Sequence, residues 1–167
     1  MRIQAHHSLF GDYEYLLVQH PGLWDDIENV LAMVNATGKG WPETPQNQRP
    51  ARFSSTAIAE TAFTRFTGLG WTPIRDGLAE GHHVMKERVV VELDFDQSPG
   101  TEVAFRSRHL ALYADDVIDV AVSLMPIRDF LSSWSSHALD YEDALDSLRR
   151  YERRAPAVPL VLVGVAP

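Results

Sequence analysis

Glu92 and Asp94 lie two residues apart inside the run Val89-Val90-Val91-Glu92-Leu93-Asp94-Phe95. Side chains at i and i+2 of a strand leave the same face, so the two carboxylates project together. Such a pair suits a hard divalent cation such as Mg2+, with the Leu93 carbonyl as a further oxygen donor. A cation held there can activate water and offset the charge that develops on a phosphodiester as it is hydrolysed. Short acidic alternations also arise where a sheet edge meets water, and spacing alone leaves both readings open.

The neighbouring residues extend the same two readings. His83, next to His82, stands just upstream. Imidazole can bind a transition metal or act as a base near neutral pH, whereas Mg2+ prefers oxygen; a pair of surface histidines is the alternative. Glu80 is a further acid, separated from Glu92 by irregular sequence. Lys86, Arg88 and Arg106 have the charge to orient phosphate, against the alternative of solvent exposure or intrachain pairing. His109 is read as a packing or hydrogen-bonding residue. Arg149, Arg150, Arg153 and Arg154 form the densest basic patch, but they follow Asp140, Glu142, Asp143 and Asp146, which reads as charge balance on a surface helix.

The elements that must position these groups can be read from periodicity. Residues 89 to 95 alternate as a strand, with Val89, Val91, Leu93 and Phe95 on one side and Val90, Glu92 and Asp94 on the other. Val103, Arg106, Ser107, Leu110, Ala111 and Ala114 have helical spacing, and Val117 to Leu124 is β-rich, with Ile118, Val120, Val122 and Leu124 along one apolar face. A strand, helix, strand order predicts an α/β centre, because parallel strands need a crossover. Pro21 opens a helix whose Leu23, Trp24, Ile27, Val30, Leu31 and Val34 share one face. Ala59, Ala62, Phe63 and Phe66 mark another. Tyr13, Tyr15, Leu16, Leu17 and Val18 suggest a strand, Pro126 suits the first position of a short helix, Tyr141 to Tyr151 reads as a helix and Leu160 to Val165 as a buried strand. Gly38, Gly40, Pro42, Pro45 and Pro50 predict an exposed loop.

At 167 residues, 45% hydrophobic and 10% aromatic, the chain has the size and composition of one folded domain spanning 1–167. It has no cysteine, which excludes disulfides, a thiol nucleophile and zinc-cysteine fingers. No apolar run approaches the roughly 20 residues of a membrane-crossing helix, and Met1 to His7 does not resemble a secretory signal. A soluble, cytoplasmic protein is expected. The formal charge of -8 has the wrong sign for collecting nucleic acid by bulk attraction; a local basic cleft on an acidic body is compatible with it.

Three ordered regions together resemble the type II restriction endonucleases that recognise palindromes with a central GATC, in the branch of BstYI, BglII and BamHI. Pro21-Gly22-Leu23-Trp24-Asp25-Asp26-Ile27 is similar to their amino-terminal helix region, Lys86-Glu87-Arg88-Val89-Val90-Val91-Glu92-Leu93-Asp94-Phe95 to their active-site strand, and Pro156 to Pro167 to their terminal strand. The resemblance implies a restriction-endonuclease-like α/β domain with a central mixed sheet flanked by helices. It further implies a homodimer on double-stranded DNA, with one Mg2+-dependent centre per subunit, where Mn2+ may substitute. Glu92 would ligate the metal, and Asp94 would orient water or adjust the metal. Lys86, Arg88 and Arg106 would meet phosphate. His83 stands where the family has Asp, and an imidazole does not reproduce a carboxylate's magnesium chemistry; Glu80 is the candidate replacement ligand. Close relatives carry a longer segment between the positions of Trp71 and His82, and residues 38 to 52 lack their lysine-rich character. The expected function is therefore Mg2+-dependent cleavage of DNA at a short palindrome, against a catalytically impaired DNA-binding protein or a derivative that keeps only the fold.

Overall fold

The computed structural model describes residues 1–8, 10–37, 55–74, 82–95, 109–131, 139–151 and 158–167. Their order is β1 (Arg2–Ser8), α1 (Asp12–Gln19), α2 (Pro21–Thr37), α3 (Ser55–Gly68), β2 (Thr72–Pro73), β3 (His83–Lys86) and β4 (Val89–Leu93). A helix described over residues 109–114, here α4, precedes β5 (Val120–Pro126), α5 (Arg128–Leu131), α6 (Tyr141–Tyr151) and β6 (Leu160–Ala166).

Six strands form one mixed sheet in the order β1-β6-β5-β4-β3-β2. β4, β5 and β6 are parallel neighbours at its centre, while β1, β3 and β2 add antiparallel edges. Every residue of β4, β5 and β6 is buried, as expected of parallel strands covered on both faces. The parallel link from β4 to β5, with α4 between them, is the α/β centre that the sequence order predicts.

The two faces of the sheet have different jobs. Val84, Val89, Val91, Leu93, Val120, Val122, Leu124, Val161, Val163 and Val165 pack with α2 and α3 into the larger core. There α2 lays down Leu23, Trp24, Ile27, Val30, Leu31 and Val34, and α3 adds Ile58, Ala59, Ala62 and Phe66, all buried as their 3.6-residue spacing requires. Each such aliphatic side chain contributes about 1.5–3 kcal/mol by leaving water. The opposite face carries smaller clusters around Val90, Ala121 and Leu160 and around Met125 and Leu162, with Leu112 of α4 and Leu148, Tyr141 and Ala144 of α6 against them. Glu92 and Asp94 belong to this second face.

Three expectations need correction. Residues 13 to 18 form part of α1, not a strand. Gly11 takes a left-handed φ of 76° before the helix, Asp12 and Glu14 occupy its first turn, and only Asp12 and Leu16, one turn apart, are buried. The alternating aromatic and aliphatic residues that suggested a strand are largely exposed, with Val18 at 72%. Pro126 ends β5, paired with Val165, rather than opening a helix; α5 starts at Arg128. Ile118 precedes β5 and packs with Val90 and Ala121, away from Val120, Val122 and Leu124. Residues 103–108 of the expected crossover helix and the expected loop at 38–50 lie outside the described residues. Among the described residues, no helix is long and apolar enough to cross a membrane.

Candidate active site

The apolar alternation of β4 drives Val89, Val91 and Leu93 into the larger core, which obliges Val90, Glu92 and Asp94 to face the other way. Both acids are buried there, Glu92 with 1% and Asp94 with 5% of its surface exposed. The reading of solvent-facing acids at a sheet edge is thereby overturned: β4 is an interior strand, flanked by β3 and β5.

A short hairpin brings the next group in. Glu87 and Arg88 form the turn between β3 and β4 with φ of 48° and 66°, the positive values that tight two-residue hairpins need. Pairing from that turn sets His83 directly across from Glu92. The His83 Nδ1 atom lies 3.4 Å from Glu92 Oε1. From the other side α4 presents His109, whose Nε2 lies 3.3 Å from Glu92 Oε2. One carboxylate is thus flanked by two imidazoles, one on each oxygen, with both histidines as buried as the acid. On β5 the register places Ser123 beside Glu92, and the Ser123 hydroxyl donates a short hydrogen bond to Asp94 Oδ2. The Asp94 backbone N–H donates to the Leu124 carbonyl at 2.8 Å, so both ends of this residue are tied to β5.

His82 and His83 split across the sheet. His83 joins Glu92, whereas the His82 ring meets Phe63 of α3 edge-on at 5.5 Å between centroids. The expectation of two surface histidines therefore fails for His83, which is 4% exposed.

The cations do not gather here. Lys86 is three residues from His83 and so faces the opposite side of the sheet, where its Nζ donates to Asp26 Oδ2 and to the Leu69 carbonyl, both at 3.0 Å. Trp71 Nε1 donates to the same Asp26 oxygen at 2.9 Å. Arg88 sits in the turn, four residues up β4 from Glu92 and roughly 13 Å away at the rise of a strand. Its guanidinium donates to Asp119 Oδ1 at 2.8–3.0 Å and to the Asp116 carbonyl at 2.6 Å. These hydrogen bonds hold the Asp119 carboxyl below its ordinary value of 3.8. Neither cation therefore stands beside Glu92: Lys86 is on the other face of the sheet and Arg88 at the far end of the strand, each with intrachain partners. Glu80 and Arg106 lie outside the described residues.

Sequence reasoning passed over Ser123, and it read His109 as a packing or hydrogen-bonding residue without linking it to Glu92. Ser123 is one hydroxyl in the apolar strand Val120-Ala121-Val122-Ser123-Leu124, and a polar residue at a position due to be buried is the signal that marks it. His109 has no such signal, since only the packing of α4 against β4 brings it to Glu92.

A family model described as restriction endonuclease BglII/BglIII matches residues 6–165. The chain belongs to this family. Among solved structures, restriction endonuclease BglII complexed with a DNA 16-mer is similar to it, with 19% identity and a TM-score of 0.76 over 100% of this chain and 79% of that one. The likeness confirms the expected restriction-endonuclease-like α/β fold, a mixed sheet flanked by helices. No curated protein matches. The family's activity is sequence-specific cleavage of double-stranded DNA.

The donor set of this family member can be tested against the cation that such cleavage uses. Mg2+ is commonly held by one or two carboxylates, with water and substrate phosphate completing its shell. Glu92 and Asp94 supply two oxygen-donor side chains on one face, which fits that minimum. Among the described residues, no group of three or more His, Cys, Asp and Glu side chains is placed to hold a metal by itself.

Proposed function

We propose that this protein hydrolyses phosphodiester bonds in double-stranded DNA at a short palindromic site, using a divalent cation held by Glu92 and Asp94. What supports the reading is the burial of this acidic pair on the inner face of β4, in a chain of the BglII/BglIII family. Bound Mg2+, or Mn2+ in its place, would polarise the phosphate and lower the pKa of a water molecule. Glu92 and Asp94 hold and orient from one strand face, Ser123 fixes the Asp94 carboxylate by donating to it, and the flanking helices keep bulk water from the pair. Glu80 is a further candidate ligand and Arg106 the remaining candidate phosphate contact. The protein is proposed to act in the cytoplasm as a homodimer, each subunit reading half of the palindrome, with GATC-centred sites the first to test.

A panel of palindromic duplexes, incubated with Mg2+, Mn2+ or EDTA, tests this reading. Metal-dependent strand cuts at one sequence are expected, and Glu92→Ala should lower the rate at least ~100-fold with its circular dichroism unchanged. Undiminished cutting by the folded variant would refute the assignment.

One observation favours a second reading. An imidazole, His83, lies against Glu92 where an oxygen ligand would better match Mg2+, which suits a catalytically impaired protein that still binds a specific DNA sequence. Reproducible sequence-specific binding without cuts in either metal would select it.

A further inference from the structure

We infer that His109 is a positioning residue: with His83 it clamps the Glu92 carboxylate from both sides, an inference that rests on the hydrolytic reading above. The two imidazoles come from separate elements, β3 and α4, and each approaches a different oxygen of the same carboxylate, at 3.4 Å and 3.3 Å. A carboxylate that is 1% exposed is costly to keep charged unless polar partners surround it. The two rings stand at ion-pairing distance from it, His109 without hydrogen-bond alignment, and they oppose rotation of a side chain that has three rotatable bonds. Packing alone does not call for histidine at this position. Leu112, one turn further along α4, already docks that helix against Val90, Ile118 and Ala121, so an apolar residue at 109 would extend the same contact. The His109 Nε2–Glu92 Oε2 approach lacks hydrogen-bond alignment, but a polar ring at 3.3 Å from a buried carboxylate oxygen acts on its charge as an apolar residue cannot. Side chains that orient a metal ligand without touching the metal commonly change metal affinity by about 10–100-fold when removed, and His109 belongs to that class for Glu92.

The clamp is tested in two ways on the full chain. Long-range proton–nitrogen NMR of the imidazoles in the wild-type and Glu92→Gln proteins should show His109 Nε2 and His83 Nδ1 shifting, with His6, His7 and His20 unmoved. Mn2+ titration followed by electron paramagnetic resonance should show His109→Leu binding at least ~10-fold more weakly. His109→Gln, whose amide nitrogen reaches about as far as Nε2, should recover most of that loss. Rescue by Gln separates positioning from filling space. If His109→Leu fails to fold, the Gln variant and the Glu92→Gln spectra still decide. Unmoved His109 resonances in Glu92→Gln, or wild-type Mn2+ affinity in a folded His109→Leu protein, would overturn the clamp. A His109 shift in a wild-type protein that binds no Mn2+ would support the clamp and count against the hydrolytic reading.

Discussion

Lys86 has the charge that a phosphate contact needs, yet its Nζ is directed at Asp26 beneath α2. Position parity explains this: on β3, His83 and Met85 share the face of Glu92, while Val84 and Lys86 take the other. Lys86→Met keeps the apolar stem and removes the ammonium, leaving Asp26 with Trp71 as its remaining named partner. A loss of about 1–3 kcal/mol is expected, read as a lower urea midpoint. The salt dependence of DNA affinity should not change, whereas loss of a true phosphate contact would reduce that slope by about 1. Arg88 and Asp119 give a second prediction. Because Arg88 lowers the folded-state pKa of Asp119, the unfolded chain takes up the proton first as the pH falls. The contribution is therefore complete above 3.8, the ordinary Asp value, and fades as the pH drops through the lower folded-state value. The stability advantage of the wild type over Asp119→Asn should be constant near neutrality and shrink in acid, as urea midpoints measured against pH will show. An advantage that grows in acid would contradict this.

At the scale of elements, the same β6 that completes the parallel centre also carries a close helix contact. A Cβ built on Gly164 would lie 2.9 Å from Ile127 Cγ2 and 2.9 Å from the Tyr141 ring. Gly164→Ala must therefore push α6 or the segment before α5 outward, and a destabilisation of about 1–3 kcal/mol is expected from thermal or urea unfolding. A neutral result would mean that α6 is seated more loosely than its packing suggests. Much of this level was legible in the sequence. Helices α2 and α3 follow from apolar spacing, because burial on one face imposes it directly, and β6 from its continuous apolar run, as a strand covered on both faces has. Tyr13, Tyr15, Leu16, Leu17 and Val18 together suggest a strand, while the residues that settle α1 are Gly11 with its left-handed turn and Asp12. The Asp12 carboxylate accepts from the Leu160 N–H of distant β6, and a partner so far along the chain leaves no local signature.

For the molecule as a whole, Glu92 and Asp94 were recognisable as a pair from spacing, but their burial was not. It depends on β3 and β5 lying on either side, and on α4 and α6 covering the face. His109 was hidden for the same reason. The net charge of -8 makes general attraction to DNA weak, so on the proposed reading engagement comes from a limited surface and from matching two half-sites at once. A homodimer is the proposed means. Sedimentation should give twice the mass of the 167-residue chain, and cleavage should rise more steeply than linearly with protein concentration below the dimer dissociation constant. A monomer at cleaving concentrations would exclude this arrangement.

The positive-φ turn at Glu87 and Arg88 has a consequence for how such a site can vary. It joins the ends of β3 and β4 with two residues, and so fixes the count from His83 to Glu92. Exchanging the side chain at 83 alters the chemistry beside Glu92 but keeps every side chain on its own side. A slip of β3 by one residue against β4 would instead invert its faces, carrying Lys86 toward the acids and His83 into the apolar core. The two-residue turn therefore sets which side chains meet across the hairpin, and a longer connection keeps His83 opposite Glu92 only by absorbing the added residue in a wider loop.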